Sequence, residues 1–371
     1  MLSADALGNP LDRIEFAAGA TVIVAVSGGS DSTALLHLLK DTLDRRAVPV
    51  HVIAATVDHG LREGSAGEAR TVAAQCAAAG IEHHVLAWEG PKPPTGLQEA
   101  ARHARHALLA GLAEASRATA VLVGHTRDDL AETVIMRRRR GEGPGLSGIA
   151  PATLFRRKVW FVRPLLRTSR ASLRRWLADR SIGWIEDPSN DNPDFERVAL
   201  RKALAIEGDQ EARIAEAVGL AGDSATERIA TAEDAARLMR AHVRFEGAGR
   251  FRLGRGMLGQ GEPSLHALRI VLAAAGGKEQ LPDLPRSREL LAAVTRAGAG
   301  ARFSLSRAVI EARSDGIAIR REARRGGAGV SGSDLPSPWG RFLPCFEIEP
   351  ATALAELAGD PIPPPLPWKI L

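Results

Sequence analysis

The chain reads as an α/β protein: a parallel, doubly wound sheet, followed by a helical linker and a small α+β domain. Three observations predict this. Four short β-branched runs alternate with helical patterns in the first 125 residues, a glycine-rich turn joins the first run to the first helix, and the strand signal fades after about residue 185 and returns near 250. Strands alternating with helices form right-handed crossovers, which make a parallel sheet covered on both faces.

The first run, Thr21 to Val26 (TVIVAV), is apolar throughout and reads as a buried strand, with a helical pattern over Thr33 to Lys40 behind it. The second strand spans Val50 to Val57, the third Ile81 to Leu86 and the fourth Ala120 to Val123. Helices fall between them at Gly67 to Ala79 and Leu97 to Ser116. Residues 195 to 245 read as polar, Ala-rich helices. Beyond them come RFRL, an apolar helix from Leu265 to Ala275, a second helix after Pro285, and alternating segments at Ala301 to Leu305 and Ile317 to Ile319. From Arg324 the chain turns Gly-, Ser- and Pro-rich and closes in PIPPPLPWKIL, which cannot be helical. The expected domains are therefore a catalytic domain over 1–205, a linker and small domain over 206–322, and a tail over 323–371.

Composition narrows the function. The 371 residues suit two or three domains at ~100–200 residues each. The 45% apolar and 25% charged residues are ordinary for a globular chain, and 37 Gly with 22 Pro fall short of low complexity. No stretch approaches the ~18 apolar residues of a membrane span, and the first residues have neither a basic nor an apolar leader region, so a cytoplasmic protein without a membrane partner is expected. Cys76 and Cys345 are the two cysteines, which excludes a disulfide framework, a Cys-x-x-Cys pair and a thiolate metal site. Arginine supplies nearly all the basic charge. Residues 137 to 175 hold twelve basic residues against one acid, Glu142, a strip suited to a polyphosphate such as nucleic acid.

The most informative stretch is VIVAVSGGSDSTALLHLL, residues 22 to 39. Gly28 and Gly29 let the backbone approach a ligand and adopt positive φ, and Ser30, Asp31 and Ser32 sit where the cap and first turn of a helix belong. With Ser27, they aim free amides at an anion where the helix dipole favours negative charge. The turn lacks the Gly-Lys-Ser/Thr ending of a Walker loop and the spacing of a dinucleotide fingerprint. Asp31 beside phosphate calls for a bridging Mg²⁺. The second strand ends in Asp58, His59 and Gly60, at the edge where a parallel sheet binds ligands. The fourth ends in VGHTRDDLAET, which brings His125, Asp128 and Asp129 to that same edge and Glu132 one turn further on. Neighbouring acids there bind a cation or accept a proton.

Ser-Gly-Gly-x-Asp-Ser at Ser27 to Ser32 resembles the pyrophosphatase loop of enzymes that split ATP between its α and β phosphates. Five more elements follow in order: Asp58 to Leu61, Gly124 to Thr133, the Arg-Gly-x-Gly-x-Gly-Leu-x-Gly run from Arg140 to Gly148, Arg163-Pro164-Leu165-Leu166, and Asp187-x-Ser189-Asn190. Together they resemble the tRNA(Ile)-lysidine synthase family over roughly residues 20 to 205, with a weaker likeness of pattern over 215 to 320. The chain departs from that family at Thr126, Leu130, His106 and Phe195, and at Val198-Ala199 where Asn-Arg is common, leaving Arg197 and Arg201.

The resemblance implies a sheet of the adenine-nucleotide α-hydrolase type and a reaction in two steps. The O2 of the wobble cytidine of a CAU-bearing isoleucine tRNA attacks the α phosphorus of ATP and expels pyrophosphate. Free L-lysine then displaces AMP at C2. Ser27, Gly28, Gly29, Ser30, Asp31, Ser32, Asp58 and His59 would hold ATP. Asp31 and Asp129 would hold Mg²⁺, with Asp129, or Asp128 as the alternative, also a candidate to take the proton lysine loses. Arg163, Arg197 and Arg201 would contact the tRNA backbone or the activated base, and Arg137 to Arg140, hence Arg138, Arg139 and Arg140, would grip tRNA phosphates. Relatives are often dimers, which raises a homodimer here. Two rivals are another pyrophosphatase-loop tRNA-modifying enzyme and a catalytically silent, nucleotide-dependent RNA-binding module. His103 and His106 read as an exposed helical face, His83 and His84 as neighbours pointing to opposite faces, and Cys76 as a packed apolar residue.

Overall fold

Thr21–Ala25, the strand β1, has its last four residues buried, as its unbroken apolar run requires of a central strand. The computed structural model describes residues 9–61, 64–141, 143–186, 196–206, 208–259, 261–322 and 337–368. These fall into two units, the first made of residues up to 155, 159–224 and those from 366, the second of 156–158 and 225–365.

In the first unit, β1 is followed by α1 (Ser30–Arg46), β2 (His51–Asp58), α2 (Ser65–Ala78), β3 (Glu82–Ala87), α3 (Leu97–Ser116), β4 (Ala120–Val123) and α4 (Arg127–Arg138). A hairpin of β5 (Ala152–Phe155) and β6 (Val159–Val162) comes next, then α5 (Arg170–Asp179), α6 (Glu196–Ile206) and α7 (Gln210–His242), which runs on across the division. These strands lie in the order β5-β6-β4-β1-β2-β3. β1 pairs in parallel with β2 and β4, with Ala25 opposite Ala55 and Val123, and β2 with β3 and β4 with β6 are also parallel. Only β5, against β6, is antiparallel in this set. The chain passes β1, β2, β3 outward on one side and then returns to lay β4 on the other flank of β1. That reversal opens a crevice between the carboxyl ends of β1 and β4, where an open α/β sheet binds its ligand.

The core of this unit is aliphatic. Val22, Ile23, Val24, Leu35, Leu38, Leu39 and Leu122 are almost wholly buried, and each such side chain contributes about 1.5–3 kcal/mol relative to exposure. The hairpin lies beyond the strands expected from the sequence. Its turn is made by Arg156 and Arg157 at φ 49° and 59°, conformations that Gly or Asn would have announced, so the segment reads in sequence only as part of a basic strip.

In the second unit, β7 (Val243–Phe245), β8 (Phe251–Gly254), β9 (Arg302–Leu305), β10 (Ala308–Arg313) and β11 (Gly316–Arg321) form an antiparallel sheet in the order β7-β8-β11-β10-β9. Alternate residues Phe251, Leu253, Ile310, Ile317 and Ile319 join α8 (Glu262–Gly276) and α9 (Leu284–Arg296) in one apolar cluster. The small α+β unit expected near 250 to 321 is thus present. It also takes in part of the segment expected as a tail: Ile348–Ala358 is a helix, α10, whose Ala353 and Leu354 join the same cluster. The run IEPATALAELA is apolar at helical spacing, but the prolines around it mask the pattern. The helices expected over 195–245 correspond to α6 and to α7, which is continuous for 33 residues.

Candidate active site

The turn after β1 is shaped by hydroxyls that bond its own backbone. The Ser27 amide donates to Ser32 Oγ at 3.1 Å, Ser32 Oγ donates to the Gly29 carbonyl at 3.1 Å, and Thr33 Oγ1 donates to the Gly28 carbonyl at 3.2 Å. Gly29 is the N-cap of α1 and supplies no side chain to its first amides, so those donors stay available to an anion. Gly28 has φ +88°, and a Cβ there would lie 2.6 Å from Ile185 Cδ1. The Ile185 amide donates to the Gly28 carbonyl at 2.8 Å and fixes that approach. Gly124, ending β4, sits so close to the start of α1 that a Cβ would lie 3.1 Å from backbone atoms of Asp31 and Ser32. The glycines therefore let β1, β4 and α1 converge at the crevice.

Beside the turn stands an acid cluster organised by one arginine that the sequence motifs do not single out. Arg170 Nε donates to Asp31 Oδ2 at 2.9 Å and Nη2 to Asp129 Oδ1 at 3.0 Å, while Nη1 lies 3.8 Å from Glu132 Oε1. Arg201 binds Glu132 through Nε at 2.5 Å and Nη2 at 3.1 Å, and approaches Asp129 at 3.6 Å. The other oxygen of Asp129 accepts from the Thr126 amide and hydroxyl, at 2.8 and 2.9 Å, in a capping box at the start of α4. Asp128 Oδ2 accepts the Arg170 amide at 2.9 Å and so caps α5.

The environments of these carboxylates differ. Burial alone would raise Asp129, but Arg170 and the Thr126 amide outweigh it and hold the carboxyl below its usual value. Burial raises Asp31 despite Arg170, and raises Glu132 despite Arg201. Arg170 itself, though desolvated, is held still more firmly protonated by Asp129 and Asp31.

On the other side of the turn a cleft of about 340 Å³ is lined by Val26, Ser27, Gly29, Thr56, Asp58 and His59, with Arg105. Thr56 Oγ1 donates to the Val26 carbonyl at 2.8 Å and lies 2.9 Å from His83 Nε2. The hydroxyl has one proton and spends it on Val26, so His83 Nε2 is the donor of that second bond. Asp58 Oδ1 accepts the Gly60 amide at 2.8 Å, which keeps its carboxyl low. His59 is pushed down by burial and then by Arg105, and among the described residues its buried Nδ1 has no hydrogen-bond partner. Burial, then the charge of Arg102, lowers Arg105 in turn.

The structure thus brings together Ser27 to Ser32, Asp58, His59, Asp31, Asp128 and Asp129. It corrects several other expectations. Arg163 is only 5% exposed, and its Nη1 donates to the Ala150 carbonyl at 2.9 Å and to Thr153 Oγ1 at 3.0 Å, so it braces the β5–β6 hairpin and is not offered to a tRNA backbone. The tRNA contacts expected of Arg201 and Arg197 remain proposals: Arg201, with its side chain 31% exposed, pairs with Glu132, and the exposed Arg197 donates from Nη2 to Thr133 Oγ1 at 3.3 Å. Among the basic run, Arg137 Nη1 holds the Gly145 and Gly148 carbonyls, which makes it a brace of the following loop. Arg138, Arg139 and Arg140 are exposed, the first paired with Glu216 and the last with Glu196. His106 is not an exposed helical residue: its ring packs 4.7 Å from that of Phe161 and 5.8 Å from that of Phe155, and burial lowers it to about 4. His125 is lowered further, to about 3, first by burial and then by Arg163. Both are neutral at pH 7. Asp187, Ser189, Asn190 and Phe195 lie outside the described residues.

One signal in the sequence points to Arg170. It occupies the first position of a helix after Ser169, whose side chain caps the Ser172 amide. An arginine there faces the positive end of the dipole and needs acids from elsewhere in the fold.

Residues 6–207 match a family described as a PP-loop domain. The tRNA(Ile)-lysidine synthase of Mesorhizobium japonicum (strain LMG 29417 / CECT 9101 / MAFF 303099) is 46% identical over 320 residues, which cover 84% of this chain and 69% of that relative. The tRNA(Ile)-lysidine synthase of Rhizobium meliloti (strain 1021) is 37% identical over 354 residues, covering 91% of this chain and 76% of that relative. Among solved structures, the U34-tRNA thiolase NcsA from Methanococcus maripaludis with its [4Fe-4S] cluster aligns with a TM-score of 0.47 at 16% identity, over 58% of this chain and 77% of that one.

Proposed function

The chain belongs to the tRNA(Ile)-lysidine synthase family, and we propose that it uses ATP to join the ε-amine of free lysine to C2 of the wobble cytidine of isoleucine tRNA bearing CAU. The observation that carries the proposal is the placing of Asp31, Asp129 and Glu132 around one guanidinium, immediately beside the open start of α1. A binding module gains nothing from three carboxylates next to a triphosphate. An enzyme that must attract and deprotonate an amine does.

The nucleotide's phosphates would lie against the amides that begin α1, with its base in the cleft of Thr56, Asp58 and His59. Attack by cytidine O2 forms the O2–P bond at the α phosphorus and breaks the bond to the bridging oxygen, so pyrophosphate leaves. The loop amides are already aimed at the charge that builds there. In the second step the lysine nitrogen bonds to C2, the C2–O bond breaks, and AMP departs. Lysine arrives as an ammonium ion and must lose a proton. Asp129, held ionised, suits attraction of that cation. Glu132, raised by burial, is better placed in pKa to take the proton.

The donors also fit Mg²⁺. Asp31 and Asp129, both bonded to the one Arg170 guanidinium, offer hard carboxylate oxygens, and phosphate oxygens would complete the shell. Bound there, the ion would neutralise charge on the phosphates. Arg138, Arg139 and Arg140 would contribute sequence-independent contacts to tRNA phosphates. Among the described residues no helix is long and apolar enough to cross a membrane.

The test is incorporation of labelled lysine into a CAU-bearing isoleucine tRNA transcript with Mg-ATP. Label that depends on Asp31 and Asp129 supports the reading. ATP-stimulated tRNA binding without label would replace it with a silent RNA-binding module.

A further inference from the structure

The basic strip contains two arginines to which the reaction above gives no contact with a substrate. Arg170 and Arg174 lie one turn apart on α5, which packs against α1, so both face the tip of the glycine turn. Arg174 Nε donates to Ser30 Oγ at 3.3 Å, Ser30 Oγ donates to Asp31 Oδ1 at 3.2 Å, and Asp31 Oδ2 accepts from Arg170 Nε at 2.9 Å. The arginines and the first two residues of α1 thus form one hydrogen-bonded circuit. Both arginines line a cleft with Asp128, Glu132 and Arg201, distinct from the cleft that Thr56 and His59 line with Ser27 and Gly29.

We propose that Arg170 and Arg174 are the cationic grip on the β and γ phosphates of ATP, and that Arg170 reaches them by exchanging its carboxylate partners for phosphate. The inference rests on the reading that the glycine turn binds ATP. In the absence of nucleotide, three buried or half-buried acids, Asp31, Asp129 and Glu132, are balanced by Arg170 and Arg201. A triphosphate adds several negative charges at the same spot, and without more cations nearby the site would repel it. A guanidinium matches two phosphate oxygens as well as it matches two carboxylates, so Arg170 can change partners by side-chain rotation alone. Arg174, whose side chain is 44% exposed and also bonded to the exposed Glu186 at 3.2 Å, is able to swing with it. The exchange has a second consequence. Asp31 and Asp129 are released to a divalent cation only when the triphosphate has drawn Arg170 away, so metal and ATP enter together.

Equilibrium titrations with α,β-methylene ATP and with AMP, both with Mg²⁺ and without tRNA or lysine, test this on the full chain. The wild type is expected to bind the triphosphate more tightly than AMP. In Arg174→Gln that preference should fall about tenfold, and in Arg170→Gln by at least as much, the scale of a lost charge-assisted hydrogen bond, with AMP affinity changed less than about twofold. A preference kept in both variants overturns the proposal. If the wild type binds neither nucleotide, the ATP-binding reading itself fails. Mn²⁺ titrated without nucleotide should bind Arg170→Gln about tenfold more tightly than the wild type. Unchanged or weaker binding overturns the exchange. Should Arg170→Gln fail to fold, Arg174→Gln decides the nucleotide arm. Arg170→Lys, which keeps the charge but loses the fork, decides the metal arm, with the same tightening expected in smaller degree.

Discussion

Gly28→Ala, set against Gly29→Ala, isolates what the turn demands of its backbone. At Gly28 the φ of +88° is unfavourable for any residue with a Cβ, and the new atom would stand 2.6 Å from Ile185 Cδ1 and 3.1 Å from Val72 Cγ2. The strained φ costs about 1–2 kcal/mol. Forcing the flexible tip of Ile185 aside adds about 1 kcal/mol. At Gly29 the φ of −68° suits any residue, and the nearest neighbour of an added Cβ is Ser27 Oγ at 3.8 Å. The remaining cost there is that alanine is a poor N-cap, about 1 kcal/mol or less. Urea unfolding should therefore place Gly28→Ala about 2–3 kcal/mol below the wild type and Gly29→Ala within about 1 kcal/mol of it. ATP affinity should fall more in the first variant, because Gly28 shares its carbonyl with Ile185 and Thr33 and carries the shape of the whole turn. Equal stability of the two variants would refute the reasoning.

The acid cluster predicts that Glu132→Gln lowers lysine incorporation by about a hundredfold or more, while ATP binding changes little; single-turnover labelling and nucleotide titration read the two separately. His106 binds no proton in the fold until about pH 4 but does so from its ordinary 6.5 when unfolded. Stability should thus be full above pH 6.5 and fall as pH drops from there towards 4, by on the order of 2–3 kcal/mol, and His106→Phe should flatten that part of the profile. Replacing Arg138, Arg139 and Arg140 together by alanine should weaken tRNA binding and make the slope of log K against log salt shallower, by up to about 0.7–0.9 for each phosphate no longer neutralised. In the second unit, Glu347 is 2% exposed and held between Arg228 Nε at 2.8 Å and His266 Nε2 at 2.7 Å. Glu347→Ala should cost about 3 kcal/mol in thermal or urea unfolding, because it removes the buried carboxylate that Arg228 and His266 share.

The parts of the molecule that are legible in the sequence are those fixed by local chemistry. TVIVAV can only be a buried strand, SGGSDS only a turn that begins a helix, and VGHTRDDLAET gathers acids at a strand end. All three sit at the crevice beside β1. What is not legible depends on distant partners. Arg170 differs from the other bases in its strip only by its place at a helix start, and its role is set when Asp31, 139 positions earlier, is brought to within 2.9 Å. Arg163 reads as a cation open to tRNA because nothing in its own stretch announces that it turns inward onto the carbonyl of Ala150 and the hydroxyl of Thr153. His106 looks exposed because Phe155 and Phe161, which cover it, come from a hairpin with an unusual arginine turn. Charge signs are written in sequence; which charges cancel is decided only by packing.

The central claim is that the turn after β1 holds a triphosphate so that the α phosphorus is attacked. The most direct measurement is the fate of γ-labelled ATP incubated with the protein, Mg²⁺, lysine and the CAU-bearing transcript. The account predicts that the label leaves as pyrophosphate, in amounts matching AMP formed and lysine incorporated. Label released as orthophosphate with ADP would contradict it.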